Sequence, residues 1–222
     1  MANYRKPVAN QDGGQIKRKL SAAERRTAYI EGAIRCFSEI GFDASTREIA
    51  RFLGVTQPLL YKYFPSKEEL INEVYRHVYL GRWGKNWASQ LHNRAIPIRE
   101  RLIDFYIDYY RSVFDRDWLR IYLFSALRGA KINKWYVEML EAQVIRPIAL
   151  ELKRELISTE GQNASEAEVE AVWSLQSSVY YYGVRSLVYE VEPSVDVATM
   201  IANSVDSLMA VFPNLSSGRE QT

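Results

Sequence analysis

The chain has little sulfur and little imidazole. Its one cysteine, Cys36, excludes an internal disulfide and any cysteine-rich metal site. Its two histidines, His77 and His92, stand in different contexts with no cluster of ligands beside them, so no metal and no cofactor are expected. No run of about 18 uncharged apolar residues exists, which excludes an α-helical membrane span. Residues 1–20 are polar and basic, without the apolar core of an export signal. These absences together point to a reducing, cytoplasmic setting and no membrane partner. Charge of either sign is nearly balanced, 29 Lys and Arg against 27 Asp and Glu, a net of +2 that at first argues against nucleic acid as a partner. The content of 47% apolar and 25% charged residues is ordinary for a globular protein and too apolar for a disordered one. Period-two alternation between turn signals is missing too, so strands are not expected. No nucleophile–base–acid arrangement, glycine-rich phosphate loop or paired catalytic carboxylates stands out, so the chain does not read as an enzyme. The pairs Glu138/Glu141 and Glu151/Glu155 read as solvated helix faces.

The charge is not evenly spread. Residues 1–67 hold twelve basic and six acidic side chains, a balance of +6 that leaves the remainder at −4. A basic first third on a slightly acidic body suggests a polyanion-facing end, although chance variation between segments would produce a similar excess.

What is present is helical periodicity. Ile30, Ala33, Ile34, Phe37 and Ile40 share one helix face, and Ile98, Leu102, Phe105, Tyr106, Tyr109 and Val113 another. Further stripes run from Val169 to Val191 and from Val197 to Phe212. Ser21/Glu24, Ser45/Glu48, Ser66/Glu69 and Ser165/Glu168 each fit the Ser-x-x-Glu capping box, in which hydroxyl and carboxylate satisfy the unpaired N–H groups of a helix start. Helices are expected at 22–40, 46–53, 57–64, 66–80, 98–114, 116–129, 133–157, 166–190 and 194–212, with Pro147 kinking or splitting the seventh. The fold class is all-α: an N-terminal three-helix helix-turn-helix domain plus a C-terminal helical domain, for which the family resemblance described below implies ligand binding and dimerisation. The expected divisions are a flexible basic arm at 1–20, a helix-turn-helix domain at 21–80, a larger helical domain at 81–213 and a tail at 214–222; the resemblance below implies DNA binding for the second and effector binding and dimerisation for the third.

Residues 45–70 carry the most information. Ser45 caps a short helix whose inner face is Ile49, Ala50 and Leu53. Gly54 ends it, because a tight turn between helices needs a residue that accepts positive φ. Thr56 caps the next helix and Pro58 is tolerated in its first turn. That helix packs through Leu60 and Phe64 and leaves Gln57, Leu59, Lys62 and Tyr63 outside. Two short helices joined by a glycine turn and braced by a longer one form a helix-turn-helix, able to project a short helix into a DNA major groove.

Thr46, Ile49, Ala50, Gly54, Val55, Leu60, Tyr61, Phe64, Lys67, Glu68 and Leu70 fall in a register that resembles the DNA-binding domain of the TetR family of bacterial transcriptional repressors, and Ala33, Phe37, Gly41 and Phe42 fit that family's first helix and its exit. The resemblance covers about residues 22–80; beyond it only length and helical pattern agree. It implies that Thr46 and Arg47 open the second helix against DNA, with Arg47 reaching a guanine edge. It implies that Gln57 contacts adenine bidentately and that Pro58 and Leu59 touch thymine methyls. Thr56 and Lys62 lie on the same surface, and Tyr61, Tyr63 and Lys67 match positions that grip phosphates. Two departures stand out: Pro58-Leu59 where many members have Gly-Thr, and Tyr63 where many have His. Lys17, Arg18 and Lys19, with Arg25 and Arg26, read either as a phosphate- or minor-groove-binding arm or as a solvated tail.

Residues 98–190 are rich in aromatics. By resemblance this region holds a small-molecule effector, with Tyr106, Tyr109, Tyr110, Tyr122, Trp173, Gln176 and Tyr180 as candidate lining and Arg128 and Arg185 as weaker polar contacts; any one of these aromatics also fits a plain core position. The last two long helices resemble the family's dimerisation pair, with Gly183, Ser186 and Ser204 allowing close approach. The implied function is a homodimeric, sequence-specific regulator of transcription, a repressor released from a palindromic DNA operator by its effector. The alternatives are an all-helical ligand-binding or scaffold protein that does not bind DNA, or an enzyme using the aromatic cavity.

Overall fold

Helix termini show most directly how this sequence sets its structure. The computed structural model describes residues 21–157 and 163–216, and among these there is no strand. The helices are α1 Ala22–Ile40, α2 Thr46–Phe52, α3 Gln57–Tyr63, α4 Lys67–Tyr75, α5 Trp87–Leu91, α6 Ile98–Val113, α7 Arg116–Leu127, α8 Lys131–Leu140, α9 Arg146–Ile157, α10 Glu166–Gly183 and α11 Val197–Ser216. The chain is all-α, with a helix-turn-helix near its start. Ser21, Ser45 and Ser165 each close a full capping box. At α1 the Glu24 N–H donates to Ser21 Oγ (3.2 Å), and the Ser21 N–H donates to Glu24 Oε2 (2.7 Å). Ser66 makes only half of its box: its hydroxyl accepts from the Glu69 N–H at 3.1 Å without the reciprocal bond. Each such cap contributes about 1 kcal/mol to helix stability.

Helices α1–α4 surround Phe37, Phe42, Ile49, Leu60, Phe64 and Leu70, all buried. Gly54 turns the chain between α2 and α3 at φ +67°. Nothing lies within 4 Å of a Cβ built there, so backbone conformation alone demands glycine. Arg26 braces this group from within. Its guanidinium pairs with Glu73 (3.1 Å) and lies over the Phe64 ring (5.1 Å), tying α1 to α4 and to the end of α3. That corrects the reading of Arg26 as part of a DNA-seeking arm, since its charge is already engaged. Lys17, Arg18, Lys19 and the rest of the 1–20 arm lie outside the described residues.

Three helices run on through π-helical turns, Arg76–Leu80 after α4, Glu141–Ile145 before α9 and Val184–Val188 after α10. The second accommodates Pro147. The Arg146 N–H reaches back five residues to the Glu141 carbonyl, and the widened turn makes room for a ring that cannot donate. Helix α11 begins later and ends later than expected. Asp196 caps it by accepting from the Thr199 N–H (2.9 Å), and Pro213 sits in its final turns, where its missing N–H removes a single bond. The expected tail therefore starts no earlier than 217, outside the described residues. Helix α5 has no counterpart among the expected helices.

Glu151 corrects the expectation of a solvated face. It is 5% exposed and receives Arg101 (2.8 Å) and Arg94 (2.7 Å); Arg101, itself buried, also reaches Glu155 (2.7 Å). The paired guanidiniums hold the Glu151 carboxyl at about 2, with the Arg94 hydrogen bond the largest cause. This cluster pins the start of α6 to α9. Gly183 is a second correction. A Cβ there would come within 3.2 Å of Phe114 and 3.3 Å of Leu119, so the glycine admits α10 to the body's own core and does not face outward. Cys36 is buried in α1, where desolvation raises its thiol to about 11.

Candidate nucleic-acid interface and aromatic cavity

The exposed side of α2 and α3 carries one small polar network. Thr46 Oγ1 accepts from Gln57 Nε2 (2.8 Å) and from the Tyr61 hydroxyl (3.3 Å). Residues at the start of α2, the start of α3 and the middle of α3 are thus held as a unit. Around it Arg47, Pro58 and Lys62 are exposed, and Leu59 and Lys67 are half-buried. Thr56 is exposed and has a structural task, its hydroxyl accepting from the Leu59 N–H at 3.4 Å. Tyr63 packs edge-on against Tyr29, ring centroids 5.1 Å apart, which fixes its ring from the α1 side. The Gln57 amide gives one of its two N–H donors to Thr46. All ten candidate DNA-contacting residues lie along α2, α3 and the start of α4.

The second site lies between α6, α7, α8 and α10. A cavity of about 190 Å³ is lined by Tyr109, Tyr122, Trp173, Gln176 and Tyr180, all of them sequence candidates. Phe114, Trp118, Tyr136, Val137, Leu140 and Ser177 complete the wall. Trp118 and Tyr122 stack nearly parallel (7°) with centroids 5.1 Å apart, four residues apart on α7. That i, i+4 spacing was the signal that could have placed Trp118 beside Tyr122.

Two candidates lie elsewhere. Tyr106 is fully buried against Phe105 and Tyr109 and does not reach the wall. Tyr110 turns toward Phe114 and Tyr182, with its hydroxyl 3.4 Å from Ser186. Both sit on α6 beside Tyr109, but on faces that meet other helices. Arg128 lies over Phe42 (5.7 Å) near Asp43 (3.8 Å), and Arg185 lies over Tyr181 and Tyr182, so neither lines the cavity. Burial pushes the Tyr109 and Tyr180 hydroxyls up to about 12.

Two connections lead from this cavity toward the helix-turn-helix. Tyr79, in the π-helical turn after α4, packs against Trp118 (5.9 Å), Tyr122 (6.2 Å) and Tyr136 (5.3 Å), and its hydroxyl meets Ser125 Oγ at 3.0 Å. Helix α7 turns its other side to the end of α1. Ser38 donates to Asp117 (2.5 Å), Arg116 pairs with Glu39 (2.6 Å), and Arg120 donates to the Ser38 carbonyl.

Residues 30–74, from the middle of α1 into α4, match the family model described as bacterial regulatory proteins, tetR family. That stretch of the chain is a domain of the tetR family. The chain is 33% identical over 86 residues to the class D tetracycline repressor of Escherichia coli and, to the same extent, to the class H repressor of Photobacterium damsela subsp. piscicida. Each match covers 35% of this chain and spans only 39% of the relative's length. The fold extends further than the sequence similarity. A TetR-like transcriptional regulator from Rhodococcus sp. RHA1 superposes with a TM-score of 0.63 at 19% identity, over 90% of this chain and 100% of the other. A tetR-family regulator from Streptomyces coelicolor does so with 0.58 at 20% identity, over 91% and 86%. No helix among the described residues is long and apolar enough to cross a membrane.

Proposed function

We propose that this chain is a TetR-family, sequence-specific DNA-binding regulator of transcription, a homodimeric repressor released from a palindromic operator by a small molecule in the aromatic cavity. The observation that carries the reading is the Thr46–Gln57–Tyr61 network. It ties together the starts of α2 and α3 and a phosphate-gripping position, and leaves Arg47, Lys62 and Lys67 around it to meet a polyanion. In this reading Arg47, Gln57, Pro58 and Leu59 face base edges, and Thr46, Thr56, Tyr61, Lys62, Tyr63 and Lys67 set register on the backbone.

Residues 21–80 form the reading head and 81–213 the sensing and dimerising body. The outer face of α10 and α11 supports the dimer. A groove of about 460 Å³ there is lined by small and polar residues such as Ala171, Ser174, Ser178, Ser204 and Ser207, and Tyr181, Val195 and Val211 are exposed. Packing two such faces about a two-fold axis makes a four-helix bundle, and a dimer sets two α3 helices about one DNA turn, roughly 34 Å, apart. An occupant of the cavity displaces Trp118 and Tyr122. Helix α7 transmits the displacement through Asp117, Arg116 and Arg120 to the end of α1, and Tyr79 transmits it to α4. The heads then change separation, and operator and effector weaken each other's binding reciprocally.

Selection of DNA from a random pool by the full chain, followed by titration of the selected duplex at several salt concentrations, tests the reading. A palindromic consensus with affinity falling steeply in salt supports it. No enrichment, with the aromatic cavity still binding ligands, favours a ligand-binding protein without DNA activity.

A further inference from the structure

Two polar atoms of residues that line the aromatic cavity, Gln176 Oε1 and Trp118 Nε1, have no hydrogen-bond partner among the described residues. Both residues are deeply buried, at 5% and 1% exposure. The rest of the Gln176 amide is committed: its nitrogen donates to the Tyr109 hydroxyl (3.3 Å), which lies 3.1 Å from the Tyr136 hydroxyl. Both atoms have almost no accessible surface as the cavity stands, so a guest pairs with them as the Gln176 and Trp118 side chains turn toward it, among aromatic rings and the hydroxyl-bearing Tyr122, Tyr180 and Ser177. A buried polar atom left unpaired is costly, so a guest that satisfies both gains over one that satisfies neither.

The wall also sets limits on charge and size. None of its lining residues is charged, and burial keeps the Tyr109 and Tyr180 hydroxyls protonated well above neutral pH. A carboxylate or an ammonium entering here would lose its water with no counter-ion in return. The volume of about 190 Å³ exceeds only modestly the roughly 150 Å³ apolar cavity that holds benzene, so it admits one substituted ring.

We propose that the effector is a neutral, single-ring aromatic molecule carrying a hydrogen-bond donor for Gln176 Oε1 and an acceptor for Trp118 Nε1, of which phenol is the smallest example. This rests on the reading of the cavity as a ligand site and adds the chemical class of the ligand.

Titration calorimetry of the full chain at neutral pH tests it with five probes of one ring size: phenol, benzamide, toluene, benzoate and benzylamine. Phenol and benzamide bind at least about tenfold more tightly than toluene, the equivalent of about 1.4 kcal/mol, and benzoate and benzylamine bind more weakly than toluene. Gln176→Met brings phenol down to the level of toluene. Val137→Trp fills the half-exposed edge of the wall without entering the core and abolishes binding of all three neutral rings. Toluene binding as tightly as phenol, a charged ring binding best, or phenol binding unchanged in Val137→Trp would overturn the proposal. Phenol binding that leaves DNA affinity unchanged would instead overturn the regulatory reading of the cavity and leave the ligand class intact.

Discussion

Replacing Glu151 with Gln keeps its shape and removes its charge from beneath Arg101 and Arg94. In the intact protein the carboxyl is held at about 2, below the ordinary 4.5, by the Arg94 hydrogen bond first and then by Arg101. That depression corresponds to about 3 kcal/mol of stability at neutral pH, in line with the cost of leaving a buried charge without its partner. The carboxyl is depressed on folding, so its contribution is fully present above about pH 4.5 and fades as the pH falls toward 2. Urea unfolding followed by circular dichroism should show Glu151→Gln about 3 kcal/mol less stable than the parent at pH 7. The gap should narrow by about 1 kcal/mol at pH 4 and by about 2 kcal/mol at pH 3. A difference below about 1 kcal/mol at pH 7, or a gap that does not shrink on acidification, would refute the claim that this cluster locks α6, with Tyr109, to α9.

Gly54→Ala places a Cβ at φ +67° and should cost about 1–2 kcal/mol in the same assay, with Gly54→Asn costing less. Thr46→Val removes the acceptor shared by Gln57 and Tyr61; stability should change by less than about 1 kcal/mol while affinity for the selected operator falls about tenfold by fluorescence anisotropy. Lys67→Ala should weaken binding to all DNA sequences alike and reduce the slope of log affinity against log salt by about 1. Asp117→Asn weakens the Ser38 contact between α7 and α1, so the factor by which effector lowers operator affinity should shrink while operator affinity without effector stays within about twofold.

Much of the helical framework was legible because local rules and tertiary packing agree. The Ser-x-x-Glu boxes at Ser21, Ser45 and Ser165 mark real helix starts, and Gly54 adopts the conformation its place between two short helices demands. What escaped depends on three dimensions. Helix α5 has five residues and no stripe, too short for periodicity to register. The π-helical turns bond five residues back instead of four, a change of backbone partner that no residue type announces. Glu151 and Glu155 have the spacing of a solvent-facing pair, and only Arg94 and Arg101, some fifty residues away, give Glu151 its burial. In the cavity, periodicity places Tyr106, Tyr109 and Tyr110 on α6 but does not say which face meets the void. Trp118 and Tyr136 enter the wall from two other helices. The balanced charge also misleads when averaged, since a +6 segment and a −4 remainder are hidden in +2.

The most direct test of the central claim is the dissociation constant of the full chain for a duplex selected from random DNA, measured across a series of salt concentrations beside Arg47→Ala, Gln57→Ala and Tyr63→Ala. The expected result is tight binding to a palindrome that weakens steeply with salt, loss of affinity in Arg47→Ala and Tyr63→Ala, and relaxed specificity at one base pair per half-site in Gln57→Ala. Affinity unchanged in all three variants would contradict the assignment of α2 and α3 as the surface that reads DNA.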